Sequence, residues 1–268
     1  GSTYTQNYGS TKSISAPASS YKATLNADGG SCSTTSVSST GTFRSWSLSG
    51  SGSISSTTAN PTTYTYGTGA ATLTADYYYS AATLPTPTKS GYTFTGWGTS
   101  KYYNYSRFSN NSLLGDVNGD NTIDTKDGVR LLSYLSSKTN YDINVSRADI
   151  DGDGKVTYID YKMIMLYLAG YTSNNYEIIL GVNEKVYLNI DLTLKAKWTA
   201  NSYTLTLKPG SSTYTQTYGS TKSISAPASS YKVTLNANGG SCSTASLTSN
   251  GTFKSWSLSG SGSISSTT

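Results

Sequence analysis

Short segments in which apolar and polar residues alternate recur along most of the chain. Residues 21–26 alternate in this way and lead into a tight-turn sequence at 28–30, and residues 42–48 alternate again. The same period of two returns at residues 71–75 and 192–198. Such alternation is typical of strands that bury one face, so these segments predict a mainly β fold built from short strands.

A different pattern occupies the middle of the chain. Apolar residues recur at spacings of three and four within residues 129–135 and again within residues 163–168. This spacing places them on one face of an α-helix, and we expect them to belong to the hydrophobic core. The pattern therefore predicts a small helical insert in an otherwise β-rich chain.

The chain contains a long internal repeat. Residues 2–58 align without gaps to residues 212–268 and differ from them at 8 of 57 positions. Most of the substitutions are mild, such as the change from Arg44 to Lys254. Repetition at a fixed offset predicts a tandem architecture.

The two copies have different neighbours along the chain. The second copy ends at Thr268, before any counterpart of residues 64–77, and no counterpart of residues 203–207 precedes the first copy. An incomplete β-module leaves an open strand edge, which favours pairing with another chain. We therefore expect a longer tandem array or copies joined head to tail by strand sharing. The alternative is that the sequence simply stops at an arbitrary point.

Three sequence motifs accompany the predicted strands. An opening of the form Tyr-x-x-x-Leu-Asn-Ala-x-Gly-Gly lies at 21–30 and 231–240. A centre of the form Pro-x-x-x-x-Gly-Tyr-x-Phe-x-Gly-Trp lies at 85–97, with one extra proline, and a Leu-x-Ala-x-Trp close lies at 194–198. Together they resemble the Listeria–Bacteroides repeat, the family of the internalin B-type repeat. The resemblance implies small β-grasp-like modules in tandem on extracellular bacterial proteins.

Two acidic stretches share one register of oxygen-bearing side chains. The first runs from residue 116 to 127, and the second begins 33 residues later and runs from 149 to 160. Ca²⁺ prefers six to eight oxygen ligands, and a twelve-residue loop supplies them from positions 1, 3, 5, 7, 9 and 12, position 7 through its backbone carbonyl. Counted in this way, the predicted ligands are Asp116, Asn118, Asp120, Thr122, Asp124 and Asp127 in the first loop and Asp149, Asp151, Asp153, Lys155, Thr157 and Asp160 in the second.

The sixth position of each loop has to turn sharply. Gly154 adopts a left-handed conformation without strain, and Asn121 is one of the few other residue types that tolerate it. The sequence therefore predicts two bound Ca²⁺ ions. The alternative is an Asp-rich turn without metal, in which the clustered carboxylates would repel one another.

The region from 113 to 170 resembles a type I dockerin. The motifs that carry the resemblance are the loop openings Gly-Asp-Val-Asn-Gly-Asp and Ala-Asp-Ile-Asp-Gly-Asp. The resemblance implies a domain that folds on calcium and binds cohesin modules of cellulosome-type scaffolds or cell surfaces. It places partner recognition at loop positions 10 and 11, which are Thr125, Lys126, Tyr158 and Ile159. Because the two pairs differ, we expect a partner to use one face. Packing of these residues against neighbouring β-modules is the alternative.

Composition and charge exclude several classes of function. The chain has no His and only two Cys, which excludes a Ser-His-Asp triad, a His zinc site and a disulfide framework. The net charge of +5 divides into −3 over residues 116–170 and +8 scattered elsewhere, whereas a nucleic-acid binder would cluster its basic residues. Carboxylates outside the two loops are isolated in sequence, so we expect no enzyme. No apolar run is long enough to span a membrane.

Together these features predict a mainly β fold of tandem β-grasp-like modules with a small α insert, the dockerin-like calcium module. The expected division is a β-module at 1–77, the first part of a second module at 78–112, the insert at 113–170, the closing part at 171–200 and a third module at 201–268.

We expect a non-enzymatic, extracellular or cell-surface repeat protein of a Gram-positive-type bacterium. It would form a stalk, fibre or array that two Ca²⁺ ions stabilise. The alternative is a cohesin-binding docking module that attaches the protein to a scaffold or cell surface. The expected partners are a cohesin-like protein or neighbouring copies of the chain, with surface glycans as a further candidate.

Overall fold

The computed structural model describes residues 2–111, 113–137, 139, 142–208 and 210–266. The predicted domain limits at residues 1, 112 and 268 lie outside these residues. The chain divides into two compact units, Gly1–Thr199 and Ala200–Thr268.

Strands predominate in the first unit, with helices in its middle. Its strands are β1 (Thr11–Ile14), β2 (Ser19–Asn26), β3 (Ser36–Gly50), β4 (Ser53–Ile54), β5 (Thr62–Thr65), β6 (Ala71–Tyr79), β7 (Ala82–Thr83), β8 (Tyr92–Asn104), β9 (Asn174–Leu180), β10 (Lys185–Val186) and β11 (Leu192–Ala200). Its helices are α1 (Tyr105–Asn110), α2 (Thr125–Ser136), α3 (Val145–Ala148) and α4 (Tyr158–Leu168).

A six-stranded sheet in the order β6–β3–β2–β11–β8–β9 forms the frame of this unit. β2 and β11 run parallel, with Ala23 opposite Leu192, and the β2–β3, β3–β6 and β8–β9 pairs are antiparallel. Strands from residues 1–77 and 171–200 therefore lie side by side in one sheet. The division of these residues into separate β-modules stays a prediction.

The alternation along β2 and β11 decides which side chains face the core. In β2, Ala23 and Leu25 are buried while Lys22 and Thr24 between them are exposed. β11 repeats the pattern, with alternate residues from Leu192 onward buried. This is the period of two that the sequence predicts for strands with one covered face.

The first unit also contains two smaller sheets. β1, β5 and β4 form a three-stranded antiparallel sheet, in which Ile14 lies opposite Thr62. β7 and β10 form an antiparallel pair, with Val186 opposite Ala82. The β7–β10 pair joins residues more than a hundred positions apart. It therefore brings together a segment that precedes the helical insert and one that follows it.

One hydrophobic core joins the main sheet to the helices. Trp97 of β8 is fully buried, and its indole N–H donates to the Pro85 carbonyl at 2.9 Å. Leu131 and Leu135 of α2 and Ile164 of α4 are buried in the same cluster. The helices therefore pack directly on the sheet and share its hydrophobic core.

The second unit consists of two hairpins. β12 (Ser202–Thr206) pairs with β13 (Thr213–Thr217), and β14 (Ser230–Thr234) pairs with β15 (Ser246–Asn250). The second hairpin has the register of its repeat counterpart, since Tyr231 lies opposite Ser249 as Tyr21 lies opposite Ser39. The repeated sequence thus gives the same pairing at this hairpin, whereas residues 11–14 form a strand in the first copy and their counterparts 221–224 do not in the second.

The secondary-structure content is 38% strand and 13% helix, which confirms a mainly β protein. The finer assignment of β-grasp-like modules stays a prediction. Within the described part of the chain, no helix combines the length and apolar character required to cross a membrane.

Candidate metal centre and docking surface

The first acidic loop folds around the carboxylate of its first residue. Asp116 is fully buried, and its Oδ1 accepts the backbone N–H groups of Gly119 and Asp120 at 2.8 and 3.0 Å. Its Oδ2 accepts the N–H of Asn121 at 3.0 Å. Three consecutive backbone donors thus wind the chain around one side chain.

The second loop repeats this arrangement residue for residue. Asp149 accepts the backbone N–H groups of Gly152, Asp153 and Gly154 at 2.8, 3.1 and 3.0 Å. Carboxylate oxygens of Asp149, Asp151 and Asp153 all lie within 4.8 Å of one another. Three carboxylates this close together form a strongly negative pocket, which a cation would neutralise.

The sixth position of each loop has the left-handed backbone that the spacing predicts. The φ angle of Asn121 is +69°, and that of Gly154 is +83°. This is the sharp turn that position 6 of a calcium loop requires.

The last carboxylate of each loop ties the loop to its helix. Asp127 accepts the N–H of Asn118 at 3.1 Å and that of Asp124 at 2.8 Å. Asp160 likewise accepts the N–H groups of Ile150 and Thr157, both at 2.7 Å. Each carboxylate oxygen has two lone pairs, so the single bond to each oxygen of Asp127 leaves room for a metal ion. Both oxygens of Asp160 already accept two bonds, because the Asp151 N–H and the Thr157 hydroxyl also donate to them.

Position 9 has a second role as a helix N-cap. Asp124 accepts the N–H of Lys126 at 2.7 Å at the start of α2, and Thr157 accepts that of Ile159 at 3.1 Å at the start of α4. Both caps are part of a capping box that is closed by the carboxylate at position 12. The same residues therefore begin the helices and surround the loop centres.

At position 7, the Thr122 hydroxyl and N–H donate to Asp120, and the Lys155 N–H donates to Asp153.

The electrostatics of the loops fit a divalent cation. Burial, together with the nearby Asp151 carboxylate, raises the pKa of Asp160 to about 7, although backbone N–H bonds act against the rise. A bound Ca²⁺ would favour the ionised form of this buried carboxylate. The donor set of carboxylate, amide and carbonyl oxygens is the set that Ca²⁺ prefers.

The four predicted partner-binding residues fall into two different environments. Thr125 and Lys126, in the first turn of α2, are exposed, and Val129 one turn later is 65% exposed. Tyr158 and Ile159, the corresponding residues of α4, are buried. For Tyr158 and Ile159 the structure thus agrees with the alternative given in the sequence analysis, in which these residues pack against other parts of the chain and do not bind a partner.

The chain segment after α4 covers the second loop–helix half. The Tyr158 hydroxyl donates to Glu184 at 2.9 Å, and the Lys162 ammonium lies 3.1 Å from the same carboxylate. The Asn189 side-chain amide donates to the Val156 carbonyl at 2.7 Å. This cover leaves only the first half, on α2, with its recognition positions on the surface.

Sequence reasoning missed two residues that hold the insert in place. Glu184 is isolated from other carboxylates in the sequence, but in the structure it receives bonds from Tyr158 and Lys162. Arg44 was noted only as a mild substitution in the repeat, but its guanidinium contacts the end of α2. Nothing in the sequence near Arg44 indicates this contact, because its partners lie about 90 residues away.

Comparison with known proteins supports one of the two resemblances. Residues 114–169, about a fifth of the chain, match the family model of the dockerin type I domain. No curated protein and no solved structure matches the chain. The internalin-type repeat context therefore receives no support from these comparisons.

The matched domain is a non-catalytic docking module. Dockerin domains bind calcium and cohesins and are typical of extracellular or cell-surface proteins. The part of this chain that is similar to a known family is thus the part that contains both acidic loops.

Proposed function

We propose that the chain is a non-enzymatic, extracellular calcium-binding protein that holds a dockerin-type domain rigidly on a β-sheet and presents one face of it to a cohesin-like partner. The observation that supports this proposal is the asymmetry between the two recognition pairs. Thr125 and Lys126 are on the surface, whereas Tyr158 and Ile159 are covered by the chain.

The proposed docking face is the outer side of the first turns of α2. It consists of Thr125, Lys126 and Val129, and the large exposure of Val129 gives it an apolar centre. A partially apolar patch with a polar margin is the usual composition of a protein interface. Calcium in the first loop would hold this face in position, because Asp124 both caps α2 and occupies position 9 of the loop.

A binding experiment with matched variants tests this function. A panel of cohesin modules is titrated with the full chain, in calcium and in chelator, and the variants Val129→Glu and Val145→Glu are compared. Val145 lies on α3 of the same domain and is 56% exposed, so it is a matched control. We expect calcium-dependent binding that Val129→Glu abolishes and Val145→Glu preserves. Equal loss in both variants, or binding in chelator, would contradict the proposed face.

A structural role in an array of repeats is the second candidate. It is supported by the equal register of β14–β15 and β2–β3, which shows that the duplicated sequence forms the same hairpin twice. In this role neighbouring copies of the chain, joined head to tail by strand sharing, would be the partners, and calcium would stiffen the insert. Sedimentation of the full chain in calcium and in chelator separates the two. Calcium-dependent oligomers without cohesin binding favour the array.

The finer assignments of surface and partner remain part of the proposal. Two bound Ca²⁺ ions, a Gram-positive-type cell surface and contacts to surface glycans are proposed on the sequence pattern. The ion count is measured directly by calorimetric titration of the chelator-treated chain, which should give two ions per chain.

A further inference from the structure

The second acidic loop has a basic neighbour that belongs to the β-sheet and not to the dockerin-type domain. The Lys101 ammonium, on β8, lies 3.5 Å from Asp151 Oδ2 and 3.3 Å from Asp153 Oδ2. Asp151 and Asp153 are two of the three carboxylates that meet within 4.8 Å. A single ammonium group therefore bridges two predicted calcium ligands.

A second basic residue from outside the dockerin-type domain also contacts this loop. Arg107 of α1 donates from Nη1 to the Asp151 carbonyl at 2.7 Å, and its guanidinium lies over Gly152. A β-carbon at Gly152 would come within 2.5 Å of Nη1, so a larger residue there would displace the Arg107 guanidinium from its present position. At Gly119, the corresponding residue of the first loop, a β-carbon would meet no atom of the described chain within 4 Å.

The first loop receives its basic partners from within the dockerin-type domain. Arg147 of α3 bonds Asp116, and Lys126 of α2 lies 3.1 Å from Asp124 Oδ2. The two loops thus differ in the origin of their counter-charges. Only for the second loop, among the described residues, does an ammonium group on the main sheet bridge two ligand carboxylates.

We propose that Lys101 is a built-in counter-ion of the second loop, which balances its carboxylates in the calcium-free protein and lowers the affinity of this loop for Ca²⁺. The ammonium group and the ion would share the carboxylates of Asp151 and Asp153, and like charges this close repel. The β-sheet thereby sets the calcium concentration at which the second loop loads. The inference goes beyond docking and rests only on calcium binding by this loop.

Calorimetric titration of Ca²⁺ into the chelator-treated full chain tests the inference. Lys101→Gln removes the charge from a partly exposed side chain, and Lys195→Gln is the matched control. Lys195 also lies on the main sheet and pairs with a carboxylate, Asp28 at 3.0 Å, that belongs to neither loop. We expect Lys101→Gln to raise the affinity of one of the two sites about three- to tenfold, the range for a nearby unit charge in physiological salt. Lys195→Gln should leave both sites unchanged.

The variant Asp153→Asn assigns the effect to the second loop. In that background the gain from Lys101→Gln should be smaller, because one of the two shared carboxylates is gone and only Asp151 still faces the ammonium group. An undiminished gain in the double variant, or an equal or weaker affinity in Lys101→Gln alone, would overturn the proposal. A weaker affinity in Lys101→Gln would mean that Lys101 supports the loaded loop.

Thermal unfolding gives a second readout that does not depend on fitting two sites. Lys101→Gln should lower the melting temperature in chelator and widen the gap between chelator and saturating calcium. A gap equal to that of Lys195→Gln would overturn the proposal. Because no cohesin is used, a failure of the docking function leaves this test intact.

Discussion

The Arg44 guanidinium on β3 donates a 2.9 Å hydrogen bond to the main-chain carbonyl of Ser137, directly after the last residue of α2. It also bonds the Tyr134 carbonyl and, through Nη1, the Asp76 carboxylate at 2.9 Å. The last carbonyls of a helix have no partner within the helix and form the negative end of its dipole. A buried arginine of the sheet therefore caps the C-terminal end of α2 in the dockerin-type domain.

Replacing this arginine should loosen the attachment of α2. Arg44→Ala is expected to lower the free energy of unfolding of the first unit by about 2–4 kcal/mol, since it removes several charge-assisted bonds at a buried site. Chemical denaturation in saturating calcium measures the loss. Lys254→Ala, at the exposed counterpart in the second copy, is the control, with an expected change below about 0.5 kcal/mol. A similar decrease in the free energy of unfolding in both variants would contradict a capping role of Arg44 at the end of α2.

Calcium removal should destabilise the chain in proportion to the number of occupied loops. At a calcium concentration a hundredfold above Kd, each site stabilises the folded state by about 2.7 kcal/mol, and chelator removes this contribution. Asp153→Ala, which removes a second-loop ligand, should reduce the chelator effect by the contribution of one site. Denaturation curves with and without chelator measure the difference. The control is Asp142→Ala, an exposed carboxylate outside both loops, which should retain the full chelator effect.

The bond between Tyr158 and Glu184 should contribute to stability and not to docking. Tyr158→Phe removes only the hydroxyl that donates to the carboxylate at 2.9 Å, and the loss of such a bond costs about 1.5–3 kcal/mol. Tyr8→Phe, at a side chain that is 77% exposed, should have no measurable effect. Thermal unfolding and cohesin titration are measured together. Weaker docking at unchanged stability would show that the α4 half takes part in partner binding.

The features that could be predicted from the sequence are those set by neighbouring residues. The turn at Gly154 and the winding of backbone N–H groups around Asp116 and Asp149 involve residues at most five positions apart. The alternation in β2 depends only on the strand period, so it too is visible in the sequence. The spacing of nearby residues is therefore enough to predict both the acidic loops and the strands.

The contacts that position the site join residues far apart in the chain. Arg44 lies 93 residues from Ser137, and Tyr158 lies 26 residues from Glu184 across a helix and a strand. Neither pair belongs to a periodic pattern. The sequence could therefore predict that an acidic loop–helix pair exists, but not that the segment after α4 covers its second half.

The two loops offer a matched pair of glycines for a last test. Gly119 and Gly152 both occupy position 4 and have φ angles of +81° and +73°, so alanine at either is strained by about 1–2 kcal/mol. At Gly152 the new methyl group would also displace the Arg107 guanidinium and its bond to Asp151. Gly152→Ala should therefore destabilise the calcium-free chain by about 1 kcal/mol more than Gly119→Ala.

Removing the arginine should equalise the two glycine variants. In an Arg107→Ala background both alanines should have the same effect on chemical denaturation in chelator, because the steric conflict at Gly152 is gone and only backbone strain remains. If the difference persisted there, the contact between Arg107 and the second loop would not be its cause.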